Sequence, residues 1–202
     1  MHKEVLSKDQ LALLPLIKVF SAEFGLVGGT AIALHLGHRR SIDFDLFTNK
    51  EFSNEAIRNK VKDTYTIQAT IIDKPGELTL VSGNVKMTFY IFPYKINYTD
   101  KFDGIIKIPN LLTLAAMKAF ALGRRAKWKD YVDIFFILKD CAFDDITRKS
   151  REMFGPEFNE RLFREQLSYY ADIDYSEKVE YMLDKQVPNA EIKQRLSALS
   201  LR

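Results

Sequence analysis

Cysteine, histidine and long apolar runs are scarce in this chain. The single Cys141 excludes an intramolecular disulfide and a cysteine-based zinc cluster. Its neighbours Asp140, Asp144 and Asp145 disfavour a reactive thiolate. The three histidines form no convincing metal-binding pair, no apolar stretch reaches the length of a membrane span, and the charged N-terminus lacks the apolar region of a signal peptide. We therefore expect a cytoplasmic protein that does not contact a membrane.

An excess of one charge is also absent. The chain carries 30 Lys and Arg against 27 Asp and Glu, a net charge of +3, so no global electrostatic field indicates a nucleic-acid partner. Hydrophobic residues, in contrast, make up 47% of the 202 residues and include 15 Phe. This length and composition predict either one domain with a substantial core or a small catalytic domain with a helical appendage.

The hydrophobic pattern predicts an α/β (α+β) fold, a sheet with helical flanks. Alternating residues and turn signals predict strands at 24–27, 42–46, 65–72, 77–82, 84–92 and 104–108. Helices are expected at 9–23, where Pro15 kinks or divides the helix, at 30–36, at 53–62, and repeatedly from 110 onward. We accordingly divide the chain into a core with an N-terminal helix (1–108) and a helical region (109–202).

A glycine pair, Gly28-Gly29-Thr30, lies between the first predicted strand and the next helix. Backbone amides at a helix start attract anions, and glycine lets a phosphate approach closely. These three residues therefore predict contact with the phosphates of a nucleotide. A glycine pair is, however, often only a tight turn.

Two acids, Asp43 and Asp45, follow at alternate positions of a predicted strand. Strand side chains alternate between faces, so both carboxylates project to one side. Two such carboxylates repel each other unless a cation lies between them. Mg²⁺ is a suitable cation because it binds through one or two carboxylates plus substrate phosphates. An Asp-x-Asp pair alone is commonly a solvated strand edge, but together with the glycines it predicts a site for a metal-bound nucleotide.

These residues resemble the first motif of the abortive-infection (AbiEii/AbiGii) nucleotidyltransferase toxins, in the polymerase-beta-like nucleotidyltransferase superfamily. Residues 37–41, GHRRS, are similar to the family's Gly-x-Arg-x-Ser lead-in, and residues 111–138 resemble its helical Lys…Arg…Lys-Asp-x-x-Asp segment. The resemblance implies a nucleotidyltransferase-like mixed sheet flanked by helices, with a helical C-terminal region. It also implies that Asp43, Asp45, Lys118 and Asp130 are catalytic and that Lys118 contacts phosphates.

The activity implied by the resemblance is transfer of a nucleoside monophosphate from an NTP, with Mg²⁺ or Mn²⁺. The acceptor would be an RNA, for example tRNA, or a protein. The protein would be the toxin of a toxin–antitoxin or abortive-infection system, with a cognate antitoxin as partner.

Cations are concentrated just after the helix that carries Lys118. Arg124, Arg125, Lys127 and Lys129 surround Trp128. They either stabilise the negative C-terminal end of that helix, or bind triphosphate or RNA backbone with Trp128 stacking on a base. Arg125 follows Lys118 by seven residues, on the same helical face if the helix persists, and is a candidate nucleotide-binding residue. Asp133, one turn after Asp130, is either catalytic or an ion-pair partner of these cations.

One feature of the superfamily is missing. A third carboxylate comes from a neighbouring strand, whereas the predicted strand 84–92 presents Lys86, Thr88 and Tyr90 on one face. Asp73, Glu77 and Asp130 are candidates to complete a site. The alternative function is a catalytically degenerate fold that binds nucleotide, nucleic acid or a protein partner without turnover, and a metal-dependent phosphohydrolase ranks last.

Overall fold

The structure is a computed structural model that describes residues 1–122 and 124–200. Its strands are β1 (Gly25–Val27), β2 (Phe44–Thr48), β3 (Ile67–Lys74), β4 (Glu77–Ser82), β5 (Val85–Ile91), β6 (Asp100–Phe102) and β7 (Ile106–Ile108). Its helices are α1 (Lys8–Val19), α2 (Gly28–Leu36), α3 (Asn54–Lys62), α4 (Leu111–Leu122), α5 (Trp128–Ile137), α6 (Phe143–Phe154), α7 (Glu160–Gln166) and α8 (Asn189–Ser200).

Five strands form one mixed sheet in the order β1-β2-β5-β4-β3. Strands β2 and β5 pair in parallel, and the other neighbours pair antiparallel. Strands β6 and β7 form a separate antiparallel pair. The predicted α/β class with a mixed sheet and flanking helices is thus confirmed.

The chain divides into two compact units. The first, Met1–Asn110, contains the sheet and helices α1 to α3; the second begins at Leu111 and contains helices α4 to α8. The last two residues of the predicted region 109–202 lie outside the described residues. No helix in the described part of the chain is both long enough and apolar enough to cross a membrane.

The N-terminal helix differs from its predicted form. Ser7 caps α1: its hydroxyl accepts from the Gln10 amide at 3.1 Å, and the Gln10 side chain accepts from the Ser7 amide at 3.0 Å. Pro15 does not divide the helix, which continues to Val19 and ends before the predicted Glu23. Burial of Leu16 and Ile17 after the proline offsets the cost of its missing amide hydrogen.

The core of the first unit lies on one face of the sheet. Phe89 of β5 makes edge-to-face contacts with Phe20 and Phe24, with ring centroids 4.8 and 5.3 Å apart. On β2, Phe44 and Leu46 are buried on this face. The alternate side chains, which include Asp45, therefore project from the other face.

Candidate functional site

Gly28 links the sheet directly to the start of a helix. Strand β1 ends at Val27 and α2 begins at the next residue, with φ of +71° at Gly28. A Cβ added at Gly28 would lie 2.1 Å from Oδ2 of Asp45. The Asp45 carboxylate therefore lies against the backbone of the helix start, at a point that only glycine leaves open.

Two further side chains converge on the next residue, Gly29. A Cβ added there would lie 2.8 Å from Nη2 of Arg39 and 3.0 Å from Oγ of Ser41. Arg39 is buried, and its Nη1 donates to the carbonyl of Arg40 at 2.8 Å. The first turn of α2 is thus bordered by a guanidinium and a hydroxyl, a combination that favours an anion at the positive end of a helix.

Thr30 is turned inward rather than toward the opening. Its side chain is 1% exposed, and its hydroxyl donates to the backbone carbonyl of Asp43. The side-chain amide of Gln10 also donates to this carbonyl through Nε2, at 3.4 Å. Thr30 and Gln10 therefore hold the backbone of the acid-bearing segment, an arrangement that favours a positioning role for Thr30.

One of the two acids lies on the strand, as expected, and the other lies directly before it. Asp43 directly precedes β2 and Asp45 is its second residue, and both are partly exposed. Across the parallel pair, Asp45 is in register with Thr88 of β5. Asp43 and Lys86 each precede the first registered pair by one residue, and Lys86 Nζ lies 2.8 Å from Asp43 Oδ2.

Other acids proposed to complete the site have partners of their own. Asp73 accepts from Asn54 at 2.7 Å and pairs with Arg58, and Glu77 lies 2.9 Å from Lys74. Among residues 1–122 and 124–200, no group of three His, Cys, Asp or Glu side chains is arranged to hold a metal. Asp43 and Asp45 offer carboxylate oxygens, the ligand type that suits a hard cation such as Mg²⁺ that takes its remaining ligands from phosphates and water.

Substitution of Gly28 tests whether the position of the Asp45 carboxylate matters, and a matched control accounts for backbone strain. We expect Gly28→Ala to lower the nucleotidyl transfer that the resemblance implies by about 100-fold, because the new methyl group displaces the Asp45 carboxylate and misplacement of about 1 Å costs that much. The measurement is the initial rate of transfer from an α-labelled NTP.

Gly104→Ala is the matched control for Gly28→Ala. Gly104 has a similar φ of +67°, and a Cβ there meets no heavy atom of the described residues within 4 Å. This variant carries the strain of a left-handed alanine without displacing an acid. Equal rates for the two variants would contradict the role assigned to the Gly28–Asp45 contact.

A buried ion cluster occupies the second unit. Lys118 of α4 places Nζ 2.7 Å from Asp130 Oδ1 and 3.0 Å from Asp133 Oδ2, both on α5. The three side chains are 6%, 1% and 0% exposed. Arg125 donates through Nε to Asp130 Oδ2 at 2.9 Å, but its side chain is 53% exposed. The predicted residues of this segment are therefore brought together, with Arg125 on the solvent side.

Charge balance in the cluster keeps Asp130 ionised. Burial alone would raise its pKa, but the opposing charges of Lys118 and Arg125 outweigh burial and hold the pKa of the carboxyl below its usual value. Asp133 pairs with Lys118 of α4, a lysine outside the basic run at 124–129 that was considered as its ion-pair partner.

The basic run after α4 has mainly structural contacts. Arg124 donates to the carbonyl of Phe120 at 3.3 Å and lies 3.5 Å from its ring centroid, which agrees with stabilisation of the helix end. Trp128 is 4% exposed. The hypothesis that Trp128 is available for base stacking is therefore wrong. The ring packs against Tyr131 and Tyr175, with centroids 6.0 and 5.4 Å apart.

Lys127 and Lys129 converge on one carboxylate, that of Glu177. Burial raises the pKa of Glu177, but hydrogen bonds from the two lysines outweigh it and lower the pKa to about 2. The carboxyl of the unfolded chain titrates near 4.5, so the stabilisation is complete above that pH and is lost as the pH falls toward 2.

A Glu177→Gln substitution tests this pH dependence. At pH 7 we expect the free energy of unfolding to fall by about 1 kcal/mol or less, because a partly exposed pair is screened by solvent. The difference from the wild type should shrink as the pH is lowered below 4.5. Urea unfolding of both proteins at several pH values measures it, with the exposed Glu191→Gln as control. A difference that is independent of pH would contradict the assignment.

Cys141 agrees with the sequence interpretation. Burial, together with the charges of Asp140 and Asp145, raises the pKa of its thiol, so the thiolate is disfavoured at neutral pH. His35 is used structurally, because its Nε2 lies 2.9 Å from the carbonyl oxygen of Pro109.

Sequence reasoning missed two contributions to the candidate site. Lys86 was assigned to the face of Thr88, but its contact with Asp43 depends on parallel pairing of two strands distant in sequence. Arg39 and Ser41 were noted only as part of a motif, and their approach to Gly29 depends on how the chain returns after α2. Alternation along residues 84–92 was the one usable signal for Lys86.

A comparison with family models finds one that matches residues 17–199, described as nucleotidyl transferase AbiEii toxin, type IV toxin–antitoxin system. An uncharacterized protein of Aquifex aeolicus (strain VF5), aq_aa25, is 31% identical over 126 residues. That alignment covers 60% of this chain and 61% of the relative, so the chain spans about three fifths of the relative's length.

Solved structures share the fold. JHP933 from Helicobacter pylori is similar with a TM-score of 0.60 at 17% identity, over 97% of this chain and 92% of that one. MenT4, a nucleotidyltransferase toxin from Mycobacterium tuberculosis, is similar with a TM-score of 0.61 at 14% identity. The match covers 94% of this chain and 80% of the MenT4 chain. At these identities the likeness concerns the fold alone.

Proposed function

Because this chain belongs to the AbiEii family of nucleotidyltransferase toxins, we propose that Asp43 and Asp45 hold Mg²⁺ or Mn²⁺ on a bound NTP for transfer of its nucleoside monophosphate. The observation that carries the proposal is the Asp45 carboxylate lying against Gly28 at the start of α2. One point of the molecule thereby combines metal-ligating oxygens with helix amides that attract phosphate.

The residues of the first unit bind and orient the triphosphate. The amides of Gly28 and Gly29 lie at the positive end of α2, and Arg39 adds a guanidinium beside Gly29. Thr30 fixes the backbone of Asp43 through its hydroxyl. The divalent cation, when bound, neutralises phosphate charge and polarises the reacting phosphoryl group.

In the reaction, the acceptor hydroxyl oxygen forms a bond to the α-phosphorus. The bond from that phosphorus to the oxygen bridging to the β-phosphate breaks, pyrophosphate leaves with the bonding electrons, and the hydroxyl proton passes to solvent. The protein contributes positioning and charge stabilisation, which are the main sources of catalysis for such transfers.

In the second unit we assign phosphate or RNA-backbone contact to Arg125, whose side chain is 53% exposed. Asp130 orients Arg125, and Lys118 holds Asp130 from the buried side. The burial of Lys118 and Asp130 supports a positioning role for both, in place of the direct phosphate contact that the family resemblance implies for Lys118. The proposed acceptor is an RNA such as tRNA, or a protein, in the cytoplasm, and the proposed macromolecular partner is a cognate antitoxin.

One observation favours the alternative of a nucleotide-binding protein without turnover. Thr88, not an acid, is in register with Asp45 on the neighbouring strand. A site that needs three carboxylates for two metal ions would be incomplete here.

A transfer assay tests the proposal and identifies the substrates. Purified protein is incubated with Mg²⁺, each of the four α-labelled NTPs in turn, and either total RNA or a protein lysate. We expect label in one acceptor class and loss of that label in an Asp43→Asn/Asp45→Asn variant. Nucleotide binding without label under any metal would favour the non-catalytic alternative.

A further inference from the structure

We infer that the ring of Tyr90 stacks against the base of the bound NTP, and that the cleft beside this ring holds the nucleoside. The inference rests on the proposed function, because that function places the triphosphate at Gly28 and Asp45. Its central observation is that Tyr90 projects from the same face of the sheet as Asp45 and also lines a cleft of about 670 Å³.

Strand register puts Tyr90 close to the acid site. Asp45 of β2 is opposite Thr88 of β5, and two residues further along the same strands Phe47 is opposite Tyr90. Side chains two residues apart project from the same face, and the backbone advances by about 6.6 Å over that distance. With neighbouring strands about 4.8 Å apart, the backbone of Tyr90 lies about 8 Å from that of Asp45. This separation is comparable to the distance between the α-phosphate of a nucleotide and its base.

Neighbouring rings hold Tyr90 in place. Its ring centroid is 5.2 Å from that of Phe47 and 6.4 Å from that of Phe92, separations typical of favourable aromatic pairs. All three residues are nevertheless partly exposed. A ring that its neighbours fix and that still reaches solvent can stack on a base with little loss of side-chain entropy.

The cleft beside Tyr90 has the size and the lining of a small-molecule site. Its volume of about 670 Å³ lies within the range of about 300–1,000 Å³ that is usual for ligand pockets. Phe52, Pro75 and Ile91 give it apolar surface. Glu77, which is opposite Tyr90 on β4, adds a carboxylate that is 19% exposed. Apolar surface with a few polar groups suits a base and its hydrogen-bonding edge.

The charges that line the cleft favour a nucleoside over the backbone of an RNA. Among the described residues of the lining, Glu51 and Glu77 are acidic and Lys74 is the one basic residue. Lys74 Nζ lies 2.9 Å from Glu77 Oε2, so this ammonium is paired within the cleft. Grooves that bind single-stranded nucleic acid combine stacking rings with cations that follow the phosphates. The cleft therefore offers the ring without the row of cations.

Nucleotide binding by Tyr90 variants tests the inference without relying on turnover. The probes are the α,β-methylene analogues of ATP, GTP, CTP and UTP, and tripolyphosphate, which has no base; each is titrated with Mg²⁺ in a calorimeter. We expect Tyr90→Leu to weaken binding of the tightest analogue by about tenfold, the effect of losing one stacked ring, and binding of tripolyphosphate by less than about twofold. Tyr90→Phe keeps the ring and should bind the analogue within about twofold of the wild type.

Tyr94→Leu is the matched control. The ring of Tyr94 belongs to the same group, with its centroid 5.4 Å from that of Phe92, but Tyr94 lines a different and smaller cleft. The substitution therefore removes the same kind of side chain from the same group of rings. We expect this variant to bind the analogue and tripolyphosphate as the wild type does.

Three results would overturn the inference. Equal weakening of analogue and tripolyphosphate binding in Tyr90→Leu would show that Tyr90 only supports the sheet. The same loss of analogue binding in Tyr94→Leu would show that the ring at the cleft has no special part. Unchanged analogue binding in Tyr90→Leu would place the base elsewhere, and a higher KM for an RNA acceptor in that variant would then assign the cleft to the acceptor.

A variant of the two acids separates this inference from the proposed function. If Tyr90 fails these tests but Asp43→Asn/Asp45→Asn loses Mg²⁺-dependent binding of the analogue, the proposed function is intact and the base-binding role alone is wrong. Retained Mg²⁺-dependent binding in Asp43→Asn/Asp45→Asn would contradict the proposed function itself.

Discussion

Asp45→Asn should lower nucleotidyl transfer by at least about a thousandfold, since an amide removes both the negative charge and a metal-ligating oxygen from the reacting centre. The asparagine has nearly the same shape, and Asp45 is partly exposed, so the free energy of unfolding should change by less than about 1 kcal/mol. The measurements are the initial rate of label transfer from an α-labelled NTP and a urea unfolding curve.

Asp103→Asn is a suitable control for charge. Asp103 belongs to the same unit and pairs with Lys3 at 3.0 Å in an exposed position. We expect its transfer rate to match the wild type. A transfer rate for Asp45→Asn within about tenfold of the wild type would contradict the metal-ligand role, because losing a ligand costs more than that.

Lys118→Met should lower the free energy of unfolding by about 3–5 kcal/mol, the cost of breaking a buried ion pair from one side. The substitution leaves Asp130 and Asp133, which are 1% and 0% exposed, without the ammonium between them. Adding Asp133→Asn to Lys118→Met should restore part of the loss, because one of the two buried negative charges is then removed. Urea unfolding measures both effects.

A partly exposed lysine of the same unit provides the comparison. Lys149 pairs with Glu152 at 2.8 Å on α6, and Glu152 is 66% exposed. Lys149→Met should cost less than about 1 kcal/mol. If Lys118→Met unfolds like Lys149→Met but loses transfer, Lys118 contacts the substrate and the positioning role proposed for it is wrong.

Local sequence pattern was sufficient for the acid pair and its strand. Alternation along 42–46 predicted that Ile42, Phe44 and Leu46 share the face opposite the two acids. Phe44 and Leu46 are buried as expected, whereas Ile42 precedes the strand and is 62% exposed. A helix after the apolar strand was predictable from the glycine pair, but it begins at Gly28 and not at the predicted residue 30. Asp43 lies one residue before the strand, since regular pairing begins at Phe44.

Contacts between residues that are distant in the chain could not be predicted from the sequence. Trp128 beside four cations indicated an aromatic ring for stacking, but packing against Tyr131 and Tyr175 buries it. Thr30 was predicted to contact phosphates because of its place in a motif. Its hydroxyl instead donates a hydrogen bond to the backbone carbonyl of Asp43, thirteen residues later. Such partners are decided by tertiary packing, which periodicity along one segment does not encode.

Crystals grown with Mn²⁺ and an NTP analogue that has a methylene group between the α- and β-phosphates give the most direct test of the metal site. An anomalous difference map locates the ion independently of any assay. We predict an Mn²⁺ peak at coordination distance, about 2.0–2.3 Å, from carboxylate oxygens of Asp43 and Asp45, with the phosphates beside Gly28. A peak held by other side chains, with the two aspartates away from it, would contradict the account.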